Sequence, residues 1–269
     1  MKYLKTSAKL LSSISIIYFA ITGTAFAEQG DQKGFDIAAR SDRTVIGFSD
    51  SVVKMKMVLR NAAGQETVRH LALKTLEKEN EQVGDKSLIV FSSPADINGT
   101  ALLSYAKILD SDDQWLYLPA LKRTKRISSA NKSGPFVGSE FAFEDFTSLE
   151  LNKFTYKYIG TEACGDIQCD VVERYPRYKH SGYTKQISWI DQKYYQVRKV
   201  DFYDRRGDLL KTLTLSDFQL YNDKFWRAKQ LSMVNHQTKK ATDLIYSDYQ
   251  FKTGLKNNDF NKAVLKRIR

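Results

Sequence analysis

Residues 114–146 decide the fold and contain most of the candidate functional residues. They read QWLYLPALKRTKRISSANKSGPFVGSEFAFEDF and begin with a strand-like apolar run at residues 115–118, which ends at Pro119. A basic segment without any acid follows, and it contains Lys122, Arg123, Lys125 and Arg126. A Gly/Ser loop at residues 134–139 then leads into the aromatic and acidic end of the stretch. A strand, a basic segment and a loop occur in many β-rich proteins, so these features alone leave the function open.

Outside this stretch, apolar and polar residues alternate with a period of two, as in half-buried strands. About a dozen such runs lie between residues 51 and 251, separated by tight turns such as residues 61–64 and 205–208. Regular strands with tight turns are typical of an antiparallel barrel or sandwich. Helical spacing is confined to residues 31–43 and 258–269. The sequence therefore predicts a mainly β fold with a short helix near each end.

The order WLYLPALKRTKRIS, a short gap and then GPFVGSEFAFEDF resembles the signature of the periplasmic outer-membrane lipoprotein-sorting family, the LolA/LolB-like proteins. The branch often found beside RND-type exporters is the most similar. The resemblance is specific in this stretch and diffuse elsewhere. It implies an unclosed, strongly curved antiparallel β-barrel, in which short lid helices enclose a site for acyl chains. Periodicity by itself does not separate this fold from a lipocalin-like barrel.

The N-terminus has the three parts of a secretory signal peptide. Its basic part contains Lys2, Lys5 and Lys9. An apolar part at residues 10–20 follows, and Ala25-Phe26-Ala27 is a cleavage site of the A-x-A type. We predict that residues 1–27 are removed and that residues 28–269 form one LolA/LolB-like domain, located in the periplasm after export. No Cys lies near the cleavage site, so a lipid anchor is not expected.

The net charge indicates the kind of partner. The formal net charge is +11, and signal removal would take away three lysines and no acid. A cationic excess of this size favours an anionic partner or surface. No nucleic-acid-binding motif is present, so we expect no nucleic acid but a peripheral contact with an anionic membrane surface.

The two cysteines, Cys164 and Cys169, are separated by a turn-like insert between two strand-like runs. In an oxidising compartment this spacing predicts a disulfide bond at a hairpin tip. The spacing differs from the CxxC redox motif, and a zinc site would need further ligands that nothing nearby supplies.

Catalysis has little support in the sequence. The histidines are far apart, at His70, His180 and His236, and no nucleophile elbow or P-loop is present. The acids of the stretch, Glu140, Glu144 and Asp145, could form an acid/base couple. Ion pairs with Arg123 or Arg126 are the favoured interpretation. We predict no catalytic residue, no metal and no cofactor.

Binding has more support, because apolar and cationic residues lie side by side in the stretch. The candidate acyl-chain contacts are Trp115, Tyr117, Leu118, Phe136, Phe141, Phe143 and Phe146. The candidate contacts to a lipid head group or a protein partner are Lys122, Arg123, Lys125 and Arg126. Any of the aromatic residues could instead belong to the core. Both faces of residues 115–118 are apolar, so the face that lines a cavity stays open.

Two functional hypotheses follow. The first is a carrier or chaperone that holds lipid or lipoprotein acyl chains in an apolar cavity and moves them between membranes, together with an RND-type exporter. The second is a non-carrier accessory subunit that docks on such an exporter through the basic segment. The sequence leaves the cargo, the partner, the direction of transfer and the oligomeric state open, and it favours the carrier.

Overall fold

One antiparallel sheet of thirteen strands dominates the computed structural model, which describes residues 22–77 and 84–268. The strands are β1 (Asp50–Arg60), β2 (Glu66–Leu76), β3 (Lys86–Ser93), β4 (Ala101–Tyr105), β5 (Asp113–Leu118), β6 (Arg123–Ile127), β7 (Phe154–Cys164), β8 (Ile167–Pro176), β9 (Lys185–Asp191), β10 (Val197–Tyr203), β11 (Leu209–Tyr221), β12 (Phe225–Asn235) and β13 (Ala241–Phe251). The described helices are α1 (Thr22–Arg43) and α2 (Lys262–Leu265). Residues 1–21 of the predicted signal peptide lie outside the described residues.

The sheet is not closed into a barrel. Its strand order is β6-β5-β4-β3-β2-β1-β13-β12-β11-β10-β9-β8-β7, so β6 and β7 are its two edges. Each strand pairs with its neighbour in the antiparallel sense, as between β1 and β2. The predicted fold, an unclosed antiparallel β-barrel with few helices, is confirmed.

Strand alternation gives the sheet two faces. Met57 of β1 and Phe91 of β3 belong to one buried cluster together with Phe202 of β10 and Met233 of β12. Because side chains from distant strands of the sheet meet in this cluster, the sheet must curve strongly. The cluster marks its concave face.

Helix α1 covers part of the concave face. Its residues Phe35 and Ile37 pack against Tyr156 of β7 and Val172 of β8. Val197 of β10 packs against both this cluster and the main concave cluster, which places the helix on the same side. None of the helices in residues 22–77 and 84–268 is both long and apolar enough to span a membrane.

The C-terminal segment packs on the opposite, convex face. Phe260 and Leu265 are fully buried there against Trp115 and Tyr117 of β5. The predicted helix at residues 258–269 is shorter than expected. Only Lys262–Leu265 is α-helical, and the Asn261 side chain starts it by accepting hydrogen bonds from two backbone N–H groups.

A disulfide bond joins Cys164 and Cys169 at the tip of the hairpin that connects β7 and β8. The predicted pairing is confirmed. Cys169 is fully buried beside Val171 and Trp189, so the bond also closes a small apolar cluster on the convex face.

Candidate functional site

Residues 128–153, which we call the crossing segment, run across the concave face and are tied to both halves of the sheet. Arg69 of β2 donates a hydrogen bond of 2.5 Å to the Val137 carbonyl. Gln114 of β5 donates one of 2.8 Å to the Phe143 carbonyl. On the other half, the Thr242 hydroxyl of β13 accepts from the backbone N–H of residue 140 at 3.0 Å.

A buried ion pair fixes the middle of the crossing segment. Lys211 of β11 donates to Asp145 at 2.7 Å, and the two side chains are only 3% and 8% exposed. The Tyr183 hydroxyl donates to the other Asp145 oxygen at 2.8 Å. Removing one partner of such a pair strongly destabilises the fold, because the other charge would be left buried without compensation.

Its neighbour Glu144 is held by neutral donors. The carboxylate accepts hydrogen bonds from the Gly182 N–H at 2.8 Å, the Ser181 hydroxyl at 3.0 Å and the Tyr178 hydroxyl at 3.2 Å. Burial raises the pKa of Glu144 above its usual range, and the nearby charge of Asp145 adds to this effect. Ionised Glu144 is therefore less favourable in the folded protein than in the unfolded chain.

This difference predicts a pH effect on stability. Because the folded-state pKa of Glu144 is raised, its contribution to folding stability is complete below the unfolded-state pKa of about 4.3. This contribution is lost as the pH rises through the folded-state pKa. Glu144→Gln should remove that loss. Relative to the wild type, it should have a higher melting temperature at pH 8 and little advantage at pH 4, measured by circular dichroism. An equal shift at both pH values would contradict the predicted titration.

The predicted ion pairs between these carboxylates and Arg123 or Arg126 are wrong. Arg126 pairs instead with Asp113 on the adjacent strand, at 2.5 Å. The third acid, Glu140, accepts a hydrogen bond of 2.7 Å from the Asn235 amide. The side chains of these acids point into the concave face, whereas Arg123 and Arg126 lie on the edge strand β6. Proximity in the sequence does not reveal that the two groups are apart in the fold.

A cavity of about 420 Å³ lies between the crossing segment, the end of α1 and the concave face. Its wall is mostly apolar and includes Val53, Leu73, Leu215, Phe218, Trp226, Leu231, Tyr246 and Tyr249. Ile46 and Leu149 also line it and are 38% and 37% exposed, so the cavity reaches the surface beside these two residues.

Two irregularities in the strands shape this wall. Residues three apart in a regular strand face opposite sides of the sheet. Nevertheless Tyr246 and Tyr249 both line the cavity. Between them, Asp248 has a φ of 54°, in the left-handed region. Such an irregularity changes the direction of the following side chain and brings both rings to the same side.

The second irregularity lies on β11. Leu215 and Phe218 line the cavity together, and Asp217 between them has a φ of 52°. On the neighbouring side, the rings of Tyr246 and Tyr249 stack with centroids 5.9 Å apart. The larger cavity thus has a rigid aromatic wall on β11 and β13.

A smaller cavity of about 170 Å³ adjoins the larger one. Both are lined by Ser148, Leu149 and Leu231, so they meet at the crossing segment. The smaller cavity is more polar, and its charged side chains are Asp112, Lys132, Glu144, Asp145, Lys153 and Arg174.

The structure distributes the candidate acyl-chain contacts over three places. Trp115 and Tyr117 pack on the convex face, where the ammonium of Lys262 lies 4.3 Å from the Trp115 ring. Leu118 is half-buried and lies on the other face of the same strand. The rings packed within the concave cluster are Phe136, Phe143 and Phe146. Among the seven candidates, Phe141 is the one that lines a described cavity.

The four candidate head-group or partner contacts lie together at the edge of the sheet. Lys122, Arg123, Lys125 and Arg126 are all exposed. Arg126 pairs with Asp113, and in the described part of the chain the other three have no ion pair within 4.0 Å. The segment is thus an edge strand with an exposed cationic surface, separate from the cavities.

Most of the cavity wall comes from residues that sequence reasoning did not select. They lie on β1, β2 and β10 to β13, at the end of α1 and in the loop that follows it. Alternation marks Leu231 and Tyr246 as inward-facing, but it places Tyr249 on the wrong side, because the local irregularity at Asp248 has no clear sequence signal.

The comparisons with known proteins cover most of the chain. A domain from Vibrio parahaemolyticus, named provisionally as an outer membrane lipoprotein-sorting protein, is 50% identical with a TM-score of 0.85 over 88% of this chain and 100% of that one. A DUF1329 family protein from Desulfovibrio piger is 27% identical, with a TM-score of 0.83 over 88% and 99% of the two chains.

A more distant structure shows the fold alone. It is a LolA superfamily protein from Nitrosomonas europaea, 21% identical, with a TM-score of 0.69 over 85% and 97% of the two chains. A family model described only as "Uncharacterized protein" matches residues 84–267, and no curated protein matches the chain. The chain has the LolA-like fold and belongs to the outer-membrane lipoprotein-sorting family represented by the Vibrio parahaemolyticus domain.

Proposed function

We propose that the protein is a periplasmic carrier that binds lipid or lipoprotein acyl chains in the two adjoining cavities and moves them between membranes. The observation that carries this proposal is the apolar cavity of about 420 Å³ on the concave face. Its volume lies in the range of known ligand sites, roughly 300–1,000 Å³. Membership of a lipoprotein-sorting family agrees with such a cargo.

The energetics suit reversible binding. Each methylene group that leaves water contributes about 0.8 kcal/mol. An acyl chain along Val53, Leu215 and Tyr246 would therefore gain several kcal/mol. After the cost of association, this supports binding in the micromolar range, which allows both uptake and release. The proposal involves no catalysis.

Entry and exit would occur beside Ile46 and Leu149. These residues belong to the loop after α1 and to the crossing segment, and both line the cavity and reach the surface. The loop after α1 and residues 147–150 lie outside the sheet and beyond the ion-paired Asp145, so both can move without breaking strand pairing or that ion pair. We assign them the role of the lid that the family resemblance implies.

The proposed location rests on the N-terminal signal, which stays a prediction. Cleavage between Ala27 and Glu28 would shorten α1, which includes both residues. The sheet and the cavity walls do not depend on this part of the helix. Residues 28–269 would form the mature domain.

A direct test is saturable binding of a fluorescent fatty acid to the delipidated protein. We expect one or two sites with a Kd in the micromolar range, and acyl lipids in organic extracts of gently purified protein, detected by mass spectrometry. Binding that increases linearly without saturation, together with lipid-free extracts, would overturn the carrier proposal.

The second candidate function is that of an accessory subunit docking on an RND-type exporter. It is favoured by the exposed basic edge strand, whose Lys122, Arg123 and Lys125 have no ion pairs within the described residues. An edge strand with free backbone groups can also accept a strand from a partner. Docking and carrying are compatible, because the edge and the cavities are separate.

The lysines of this edge offer a prediction. Replacing Lys122 and Lys125 by Gln should leave the melting temperature nearly unchanged, since exposed charges contribute little to stability. It should weaken binding to anionic vesicles by about 1 kcal/mol per lysine. Vesicle co-sedimentation measures the effect, and Lys239→Gln with Lys240→Gln, on an exposed turn, is the matched control. Equal losses of vesicle affinity in both double variants would show that binding depends on the net charge and not on the position of the lysines.

A further inference from the structure

Arg174 of β8 lies in the concave face and lines the smaller cavity. Its Nε donates a hydrogen bond of 2.7 Å to Gln186, and its Nη2 donates to the same oxygen. The guanidinium carbon lies 5.0 Å from the Phe154 ring. Among the described side chains, those of residues 29–77 and 84–268, no carboxylate lies within 4.0 Å of this guanidinium. Arg174 is therefore held in place by neutral partners alone.

The acids around the smaller cavity already have other partners. Asp112 pairs with Lys153, and Asp145 pairs with Lys211. Glu144 accepts from a backbone N–H and two hydroxyl groups. The cavity consequently holds a guanidinium that has no ion pair of its own, and Asp145, which pairs with Lys211, acts on it from beyond 4.0 Å.

A second cation faces the same space. The Lys132 ammonium donates to the Ser111 hydroxyl at 2.9 Å and to the Asp112 carbonyl, and the residue is 4% exposed. Burial lowers the pKa of both Lys132 and Arg174 below their usual ranges. These two cations without an ion pair outnumber Glu144, the acid of the same cavity that has neutral donors only, so the cavity has a local preference for an anion.

The larger cavity does not share this preference. Its described cation is Arg227, which donates to the Val45 carbonyl at 3.0 Å and lies 5.5 Å from the Phe225 ring. Glu77, which accepts hydrogen bonds from the N–H groups of Gly47 and Ser49, also lines the larger cavity. The smaller cavity, with two cations that lack an ion pair, is therefore the better place for an anionic group.

We propose that the cargo is a single-chain amphiphile with a carboxylate head, which binds head-first with the carboxylate on the guanidinium of Arg174. This inference rests on the carrier function proposed above and adds the head-group chemistry and the orientation. The chain would pass Leu149 and Leu231, which line both cavities, and lie along the aromatic wall of the larger one. A carboxylate matches the fork of a guanidinium, and a cavity of about 170 Å³ accommodates a small head group.

Paired probes test this inference: cis-parinaric acid and its methyl ester, which share the same chain and differ in charge. At pH 8 the wild-type protein should bind the acid at least about tenfold more tightly, as expected for a hydrogen-bonded charge pair. Arg174→Gln should lose most of this preference, with the remainder due to Lys132, and should bind the ester as the wild type does. Arg174→Lys, which keeps the charge without the fork, should retain part of the preference.

Arg227→Gln is the matched control, because it removes the arginine of the larger cavity. It should keep the preference for the acid. Circular dichroism would confirm that each variant is folded, and the comparison of the two probes on the wild-type protein needs no variant at all.

The outcomes separate this inference from the carrier function. Equal binding of acid and ester by the wild type would overturn the head-group assignment and leave the carrier function intact. A preference that persists undiminished in Arg174→Gln, or that is lost in Arg227→Gln, would also overturn it. Binding of neither probe would overturn both proposals.

Discussion

Replacing Asp145 by Ala should lower the free energy of unfolding by about 3–5 kcal/mol, because it leaves the Lys211 ammonium buried without a counter-charge. The two side chains are 8% and 3% exposed, and their nitrogen and oxygen lie 2.7 Å apart. The Tyr183 hydroxyl would lose its acceptor as well. Urea denaturation followed by circular dichroism measures the change.

Two comparisons make this prediction specific. Asp208→Ala removes a carboxylate whose pair with Arg206 is exposed, and it should cost less than about 1 kcal/mol. Adding Lys211→Met to Asp145→Ala should recover much of the loss, because no unpaired charge is then buried. An Asp145→Ala variant that is no less stable than Asp208→Ala would show that the ion pair does not hold the crossing segment.

The fold was predictable from the sequence to a large extent. Period-two alternation located most strands, since the side chains of Met55 and Met57 must face one side and those of Lys54 and Lys56 the other. The family resemblance of residues 114–146 predicted that the barrel does not close, and alternation alone could not predict this. Closure depends on whether the edge strands meet, and here β6 and β7 stay apart.

The cavity wall was much less predictable. Trp115 and Phe141 have similar chemistry in the same stretch, but one packs under α2 and the other lines the smaller cavity. The difference arises because the C-terminal segment covers the convex side of β5, which involves residues more than 140 positions apart in the chain. Local sequence patterns contain no information about such a contact.

The polar part of the site was missed for a related reason. Lys211 and Arg174 lie in strands in which polar and apolar residues alternate as in any half-buried strand. Their side chains point to the concave face, where polar residues are costly unless they are paired or useful. Lys211 is paired with Asp145, whereas Arg174 has no carboxylate among the described residues, and this contrast is visible only in three dimensions.

The stretch that carries the family resemblance lines the smaller cavity of the proposed site, through Lys132, Phe141, Glu144 and Asp145. Its strand-like part is β5, its basic part is the edge strand β6, and its Gly/Ser and aromatic part begins the crossing segment. One continuous sequence therefore supplies a strand of the sheet, an exposed cationic edge and part of the wall of the smaller cavity. The docking surface and the cavity of our proposals are thus neighbours in the sequence.

The second large effect should come from filling the cavity. Ala228 of β12 is 8% exposed and lines the larger cavity, opposite Phe218 on the adjacent strand. In Ala228→Trp, the indole ring would occupy space that an acyl chain would otherwise fill. Excluding even two methylene groups at about 0.8 kcal/mol each weakens binding by roughly tenfold.

Stability should not fall in this variant, since the added ring enters existing space rather than a filled core. Val234→Trp, at a 43% exposed position on the same strand, controls for the added indole and should bind like the wild type. Titration with a fluorescent fatty acid and thermal melting give the two readouts. Unchanged affinity in a folded Ala228→Trp would place the acyl chain outside this cavity, because a chain within it could not avoid the new side chain.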